Sequence, residues 1–186
     1  MDLVKLHDRA LEATTAIVAK VERAQFDLPT PCAEFDVRAL LNHMIGGNHR
    51  FVAIARGEPG VSVPATGDFV RDDPLGPFRE SADALSTAWN DPALLERTVQ
   101  LPFGDVPGAV ALGIHTVETV VHGWDLAKAT GQPTELDPDL YEAAWQHCKD
   151  IDETFRGPGR PFGPAVAVPA TSTDTDRLMA WLGRQP

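Results

Sequence analysis

The sequence predicts an all-α fold, a bundle of four long helices with an additional helix and a C-terminal tail packed across it. Apolar residues recur at spacings of three and four along most of the chain, and only residues 98–101 form an extended piece. The chain has 186 residues, of which 43% are hydrophobic and 23% charged, as in an ordinary globular protein. No repeat or long linker divides it, so we expect a single domain over residues 1–186.

A proline-rich loop separates the first two predicted helices. Apolar side chains from Leu3 to Ala24 repeat every three or four positions, which predicts an amphipathic helix over the first 25 residues. Pro29 and Pro31 follow this helix, and proline lacks a backbone donor and favours an extended conformation in the residue before it. A second helix is predicted from the N-cap residue Asp36 to residues 56–57.

The rest of the chain predicts a long loop and four further helices. Residues 57–77 are rich in Gly, Pro, Ser and Asp, which is typical of a loop, and loops of this length are often functional lids. Apolar stripes predict helices over residues 77–90, 107–130 and 138–155. A last short helix is predicted to begin at an N-cap formed by Thr173 or Asp174.

The charge of the chain excludes several classes of partner. It carries 27 acidic against 16 basic residues, a formal net charge of −11, and such a protein is repelled by nucleic acids and anionic membranes. No apolar run approaches the roughly 18 residues that span a bilayer. The N-terminus lacks the apolar segment of a signal peptide, and two cysteines cannot form a disulfide framework. We therefore expect a cytoplasmic protein, a monomer or a homodimer.

Polar residues within the two most apolar helices form the candidate site. His115, Glu118, His122 and Asp125 follow one another at spacings of three and four, which places them on one stripe of the predicted helix. The second helix carries His43, followed by the pair Gly46-Gly47. Two glycines in mid-helix cost about 2 kcal/mol relative to alanine, which indicates either close backbone approach or space left above His43.

Two imidazoles and one carboxylate are the ligands of an open catalytic site for a divalent metal ion. Glu118 and His122 are four residues apart, about 5–6 Å in a helix, so both can bind one ion, with His43 as the third ligand. His115 is a reserve ligand or a hydrogen-bond partner, and Asp125 supports a ligand or pairs with an arginine. The alternative is a hydrogen-bonded Glu118–His122 pair in an ordinary core. The ligand set suits zinc first, with nickel and iron(II) as alternatives.

Other polar and aromatic residues have simpler interpretations. Four arginines are candidates for binding a carboxylated substrate, although an ordinary ion pair is the simpler expectation for each: Arg38, Arg50, Arg160 and Arg184. Cys32 and Cys148 are expected to pack rather than to act as nucleophiles, and Trp124 and Trp181 are expected in the core.

Two motifs in this chain resemble the DinB/maleylpyruvate-isomerase superfamily of metal-binding helical bundles. The first runs from Thr30-Pro31-Cys32 to His43, with Phe35 where the family often has Trp, and the second runs from Glu118 to Ala127. The tail, residues 160–164 and 177–184, is similar to an actinobacterial branch described only as metal-binding. The resemblance implies a DinB-like four-helix bundle in which His43, Glu118 and His122 hold a divalent ion, commonly zinc or nickel. The mycothiol-dependent isomerase of this superfamily has an additional C-terminal domain for which this chain has no room, so its substrate does not carry over.

The thiol-dependent members of the superfamily imply a function. In them a low-molecular-weight thiol such as mycothiol binds the ion through sulfur, loses its proton and attacks an electrophile. We therefore expect a metal- and thiol-dependent transferase or isomerase acting on an electrophilic small molecule. Two alternatives share the ligands: a non-catalytic metal-binding protein with His115 as fourth ligand, and a metal-dependent hydrolase in which Asp125 is the general base. The three differ in what occupies the fourth position on the ion.

Overall fold

The computed structural model describes residues 2–58, 67–151, 153–157 and 162–186 and confirms the predicted all-α class. Within these ranges the chain forms seven α-helices: α1 (Leu3–Val18), α2 (Val37–Ala55), α3 (Leu75–Trp89), α4 (Ala93–Glu96), α5 (Gly108–Ala129), α6 (Pro138–Cys148) and α7 (Asp174–Trp181). The strands β1 (Thr98–Leu101) and β2 (Gly104–Pro107) pair as an antiparallel hairpin. None of the described helices is long and apolar enough to cross a membrane.

Side-chain caps explain where two of these helices begin. The carboxylate of Asp36 accepts a hydrogen bond from the backbone N–H of Ala39 at 2.7 Å, which confirms the predicted start of α2. Thr173 accepts from the backbone N–H of Asp176, and the Asp176 carboxylate accepts in turn from the N–H of Thr173. Of the two candidate caps for α7, Thr173 is therefore the cap, in a reciprocal capping box.

Four elements differ from the sequence prediction. Helix α1 ends at Val18 instead of near residue 25, and residues 23–25 form a separate 3₁₀ turn in which Gln25 accepts from the backbone N–H of Glu22. Helix α6 ends at Cys148 instead of near residue 155, because the carbonyl of Cys148 accepts from the indole N–H of Trp181 in the C-terminal tail. The short helix α4 and the strand β2 were not predicted. Of the predicted loop over residues 57–77, residues 59–66 lie outside the described ranges.

Helix α5 lies in the middle of the molecule and packs on two apolar clusters. One cluster is formed mainly by α1, α2, α3 and α5, and the other by α1, α5, α6 and α7. Helices α1 and α5 approach closely at Gly123, where an added Cβ would lie 2.7 Å from Thr14 Oγ1. Thr14 donates in turn to the carbonyl of Thr119 at 3.2 Å. A helix buried on two sides holds its polar residues in fixed positions, and those residues form the site described next.

Candidate functional site

Helices α2 and α5 bring two of the predicted ligands together. The rings of His43 and His122 meet edge to face, with centroids 5.1 Å apart. Further along the pair, Phe51 contacts His115 with ring centroids 4.4 Å apart, so the two helices run antiparallel here. Phe35, in the loop before α2, stacks on His43 at 4.9 Å. The phenyl ring at this position therefore holds the His43 imidazole against α5.

The three predicted ligands line one small pocket. Its volume is about 20 Å³, enough for a single water molecule, and its walls include His43, Gly47, His115, Glu118, Thr119 and His122. A Cβ added at Gly47 would meet no atom within 4 Å. Of the two interpretations of the mid-helix glycines, the space above His43 is therefore the one that Gly47 supports.

Burial shifts the pKa of two of the predicted ligands, His43 and Glu118. Desolvation lowers the pKa of His43 to about 4, with the charges of His122 and Arg50 acting in the same direction, so the ring is neutral near pH 7. The side chain of Glu118 reaches solvent, yet it lies in a concave site crowded by protein atoms, and the resulting desolvation raises its pKa. His122 and Arg50 oppose that rise. A neutral imidazole is the form that binds metal.

Asp125 holds the ring of His122 in one orientation. Asp125 Oδ2 lies 3.1 Å from His122 Nδ1, and because a carboxylate only accepts hydrogen bonds, Nδ1 carries the proton. The buried Asp125 also accepts from Arg184, from Nε to Oδ1 at 3.3 Å and from Nη2 to Oδ2 at 3.1 Å. Nε2 is therefore the nitrogen of His122 that remains available to bind a metal ion. A carboxylate that orients a histidine in this way recurs at metal centres, and the predicted pairing of Asp125 with an arginine is confirmed.

Cys32 also lies at this site, which the sequence interpretation missed. Within the described part of the chain, Cys32, His122 and Asp125 are the group whose ligand atoms all lie within 4.8 Å of one another, a spacing that suits a metal ion. Desolvation raises the pKa of the Cys32 thiol, and the negative charge of Asp125 acts in the same direction. Cys32 belongs to the proline-rich motif that precedes helix α2, and this motif was the available sequence signal. Only the packing of that loop on α5 brings the thiol close to His122.

A second, fully buried imidazole pair lies beside the pocket. His115 Nδ1 is 3.0 Å from His7 Nε2 and 3.2 Å from Thr119 Oγ1, so one ring nitrogen of His115 is already engaged within the core. Burial lowers the pKa of His7 to about 4 and that of His115 well below its usual range. His7 was not predicted, although its place among Val4, Leu6 and Leu11 on the apolar stripe of α1 indicates burial.

The remaining candidates are structural where the structure describes them. Arg38 pairs with Asp68 at 2.6 Å on the surface. Cys148 and Trp124 are buried as predicted, and burial raises the pKa of Cys148 to about 12. Trp181 is half-buried, with Arg156 stacked 4.1 Å from its ring centroid. Arg160 lies outside the described residues.

Comparisons with known proteins place the chain in a family. The family model described as the mycothiol maleylpyruvate isomerase N-terminal domain matches residues 7–127. An uncharacterized protein of Mycobacterium tuberculosis, present in two strains, is 36% identical over 186 residues, which cover 99% of this chain and 98% of that protein.

The fold is similar to that of a solved enzyme. The crystal structure of the mycothiol-dependent maleylpyruvate isomerase matches with a TM-score of 0.62 and 14% identity, covering 77% of this chain and 68% of that one. A histidine-to-alanine mutant of that isomerase matches with the same TM-score and 13% identity. The family match spans α1 to α5 and includes all three predicted ligands. The chain therefore belongs to the mycothiol maleylpyruvate isomerase N-terminal domain family.

Proposed function

We propose that this protein is a metal- and thiol-dependent enzyme, in which His43, Glu118 and His122 hold one divalent ion and a low-molecular-weight thiol is the cosubstrate. The observation that carries the proposal is that these three side chains, from two helices, line one pocket while Asp125 leaves His122 Nε2 available. Zinc is the first candidate, with nickel and iron(II) as alternatives. Membership of a family named after a mycothiol-dependent isomerase supports a thiol such as mycothiol as cosubstrate.

The chemistry of the donor set suits a divalent ion. His43 is neutral near pH 7, His122 has one nitrogen engaged and one available, and the Glu118 carboxylate reaches the pocket. Two imidazoles and a carboxylate leave at least one coordination position for an exogenous group. The pocket volume of about 20 Å³ suits an ion or one water molecule.

The chain itself orients the ligands and leaves room for the thiol. A bound divalent ion supplies Lewis acidity and lowers the pKa of a thiol in contact with it. Asp125 and Phe35 fix the two imidazole rings, and Gly47 leaves the space beside them open. Desolvation raises the pKa of Cys32, so without an ion this residue is a neutral thiol, and we assign the role of nucleophile to an external thiol.

The reaction that this arrangement supports is thiol transfer to, or isomerisation of, an electrophilic small molecule. The solved structure with this fold is that of a maleylpyruvate isomerase, which makes a thiol-assisted isomerisation the first reaction to assay. A hydrolase with Asp125 as general base is disfavoured, because the Asp125 carboxylate is buried and its oxygens already accept from His122 and Arg184. A proton acceptor for water needs an oxygen that water can reach.

A second candidate is a metal-binding protein without turnover, and the position of Cys32 favours it. If the Cys32 thiol joins His122 at the ion, the chain supplies its own sulfur ligand and no position is needed for an external thiol. This candidate shares the ion with the first but predicts a closed coordination sphere.

Metal content and a cobalt spectrum test both candidates. We expect about one ion per wild-type chain by mass spectrometry of the native protein, and none in His43→Ala or His122→Ala. His49→Ala is the matched control, because His49 is also on α2 but contacts Phe69 outside the pocket. Retention of the ion by both ligand variants would overturn the ligand assignment.

The cobalt form distinguishes the two candidates. We expect the cobalt-substituted protein to develop a sulfur-to-cobalt charge-transfer band only when 2-mercaptoethanol is added. The cobalt-substituted Cys32→Ser variant should behave in the same way. A band in the protein alone that is absent from Cys32→Ser would instead support the closed site. An ion that shows no band under either condition would exclude the thiol-dependent enzyme.

A further inference from the structure

Arg50 lies on the same face of α2 as the candidate ligand His43. The two are seven residues apart, close to two helical turns, with Gly47 between them. Because α2 and α5 are antiparallel, and His43 contacts His122 while Phe51 contacts His115, Arg50 lies opposite the part of α5 near His115 and Glu118. Arg50 therefore lies near the same end of the interface as the pocket.

Arg50 has no ion pair among the described residues, in contrast to other half-buried or buried arginines. Arg38 pairs with Asp68 at 2.6 Å, and Arg184 pairs with Asp125 at 3.1 Å. Arg50 is half-buried. The other described arginines without an ion pair are all exposed: Arg56, Arg71, Arg79 and Arg97. The carboxylate of Glu118 feels the charge of Arg50 but forms no ion pair with it, and Glu118 is itself a candidate ligand of the ion, so a second anionic partner would stabilise this partly desolvated cation.

The charge of Arg50 acts on the ligands themselves. It lowers the pKa of both Glu118 and His43, in agreement with its place in the helix register. The whole chain carries a net charge of −11 and repels anions, so an anionic substrate needs a local cation at the pocket. A guanidinium presents a planar fork of donors that matches a carboxylate in two parallel hydrogen bonds.

We propose that Arg50 binds a carboxylate of the electrophilic substrate and positions it beside the ligands His43 and Glu118. The inference rests on the proposed function, since it concerns the second substrate of that same site. It makes Arg50 a residue that determines specificity for a carboxylate-bearing electrophile. Arg38 and Arg184 do not have this role, because aspartates already occupy their guanidinium groups.

The test compares maleate with its uncharged analogue maleamide, using calorimetric titration of the full-length, metal-free protein. We expect wild type to bind maleate more tightly than maleamide, and Arg50→Met to weaken maleate binding at least about tenfold without affecting maleamide. Arg50→Lys should retain part of the affinity. Arg38→Met is the matched control and should change the dissociation constant of maleate less than about twofold, since Asp68 already neutralises Arg38.

Two results would overturn the inference: equal maleate affinity in wild type and Arg50→Met, or no preference of wild type for maleate over maleamide. The thiol arm uses cobalt-substituted protein with N-acetylcysteine and its amide. If Arg50→Met weakens the binding of N-acetylcysteine but not that of its amide or of maleate, Arg50 binds the carboxylate of the thiol cosubstrate. The assignment to the electrophile is then wrong.

Zinc content of the same variants separates this inference from the proposed function. We expect Arg50→Met to retain zinc, because removing a neighbouring cation does not weaken the binding of another cation. If zinc is retained but maleate binding does not depend on Arg50, the inference fails and the proposed function stands. If wild type binds no zinc, the proposed function fails whatever the maleate result.

Discussion

Replacing Arg184 by methionine tests the ion pair that supports His122. Methionine keeps much of the side-chain volume but leaves the carboxylate of Asp125, which is 0% exposed, without its cationic partner. Removing one partner of a buried pair costs about 3–5 kcal/mol. Because Asp125 keeps its hydrogen bond from His122, we expect the lower end, about 3 kcal/mol in the free energy of unfolding. For a chain of this length that is a fall in melting temperature of about 6–12 °C.

Urea unfolding monitored by circular dichroism measures this loss. Arg177→Met is the control, because Arg177 forms an exposed pair with Asp174 at 3.3 Å and should cost no more than about 1 kcal/mol. In the double variant Arg184→Met with Asp125→Asn, no charge is left unpaired, so we expect part of the stability to return. A loss below about 1 kcal/mol in Arg184→Met, or strictly additive effects in the double variant, would refute the reasoning.

The same change should weaken metal binding. Residues that orient a metal-binding histidine typically affect affinity by about 10–100-fold when they are altered. We therefore expect Asp125→Asn to lower zinc affinity by that amount and Arg184→Met by a smaller factor, measured by competition with a chelator. Unchanged zinc affinity in Asp125→Asn would show that His122 needs no support from Asp125, or that it is not a ligand.

Four further predictions concern the residues around the site. Gly183→Ala should cost about 1–3 kcal/mol in thermal unfolding, because Gly183 has φ +83° and an added Cβ would lie 2.6 Å from Gly163 Cα; an unchanged melting temperature would contradict that close approach. Gly47→Ala should stabilise the protein by up to about 1 kcal/mol, since the new methyl group meets no atom within 4 Å, and a destabilised variant would mean that no free space exists there. His7→Gln should reduce the pH dependence of stability. The pKa of His7 is about 4 in the folded state, so the unfolded state binds more protons below pH 6.5. The wild type therefore loses up to about 3 kcal/mol of its free energy of unfolding as the pH falls toward 4. Urea midpoints at pH 7 and 4.5 measure this, and equal losses in wild type and variant would contradict it. Cys32→Ser should leave zinc content unchanged if an external thiol is used, which mass spectrometry of the native protein checks directly.

Local patterns in the sequence predicted the helices and the stripe of polar residues on α5. The spacing of Glu118 and His122 follows from the 3.6-residue period alone, and the cap at Asp36 needs only its own first turn. Helix ends that depend on distant residues were not predictable in the same way. Helix α6 ends at Cys148, whose carbonyl accepts from Trp181, 33 residues further along the chain.

The sequence by itself determined the all-α class and the candidate ligands on α2 and α5, because these depend on residues close together in the chain. Only the tertiary structure decided that Arg184 supports Asp125 across 59 residues, that His7 meets His115 across 108, and that Cys32 lies beside His122. The sequence also left Arg38, Arg50 and Arg184 equivalent as candidates for a carboxylate. The packing of loops and helices separated them, because whether a guanidinium has a partner depends on which distant carboxylate the fold brings to it.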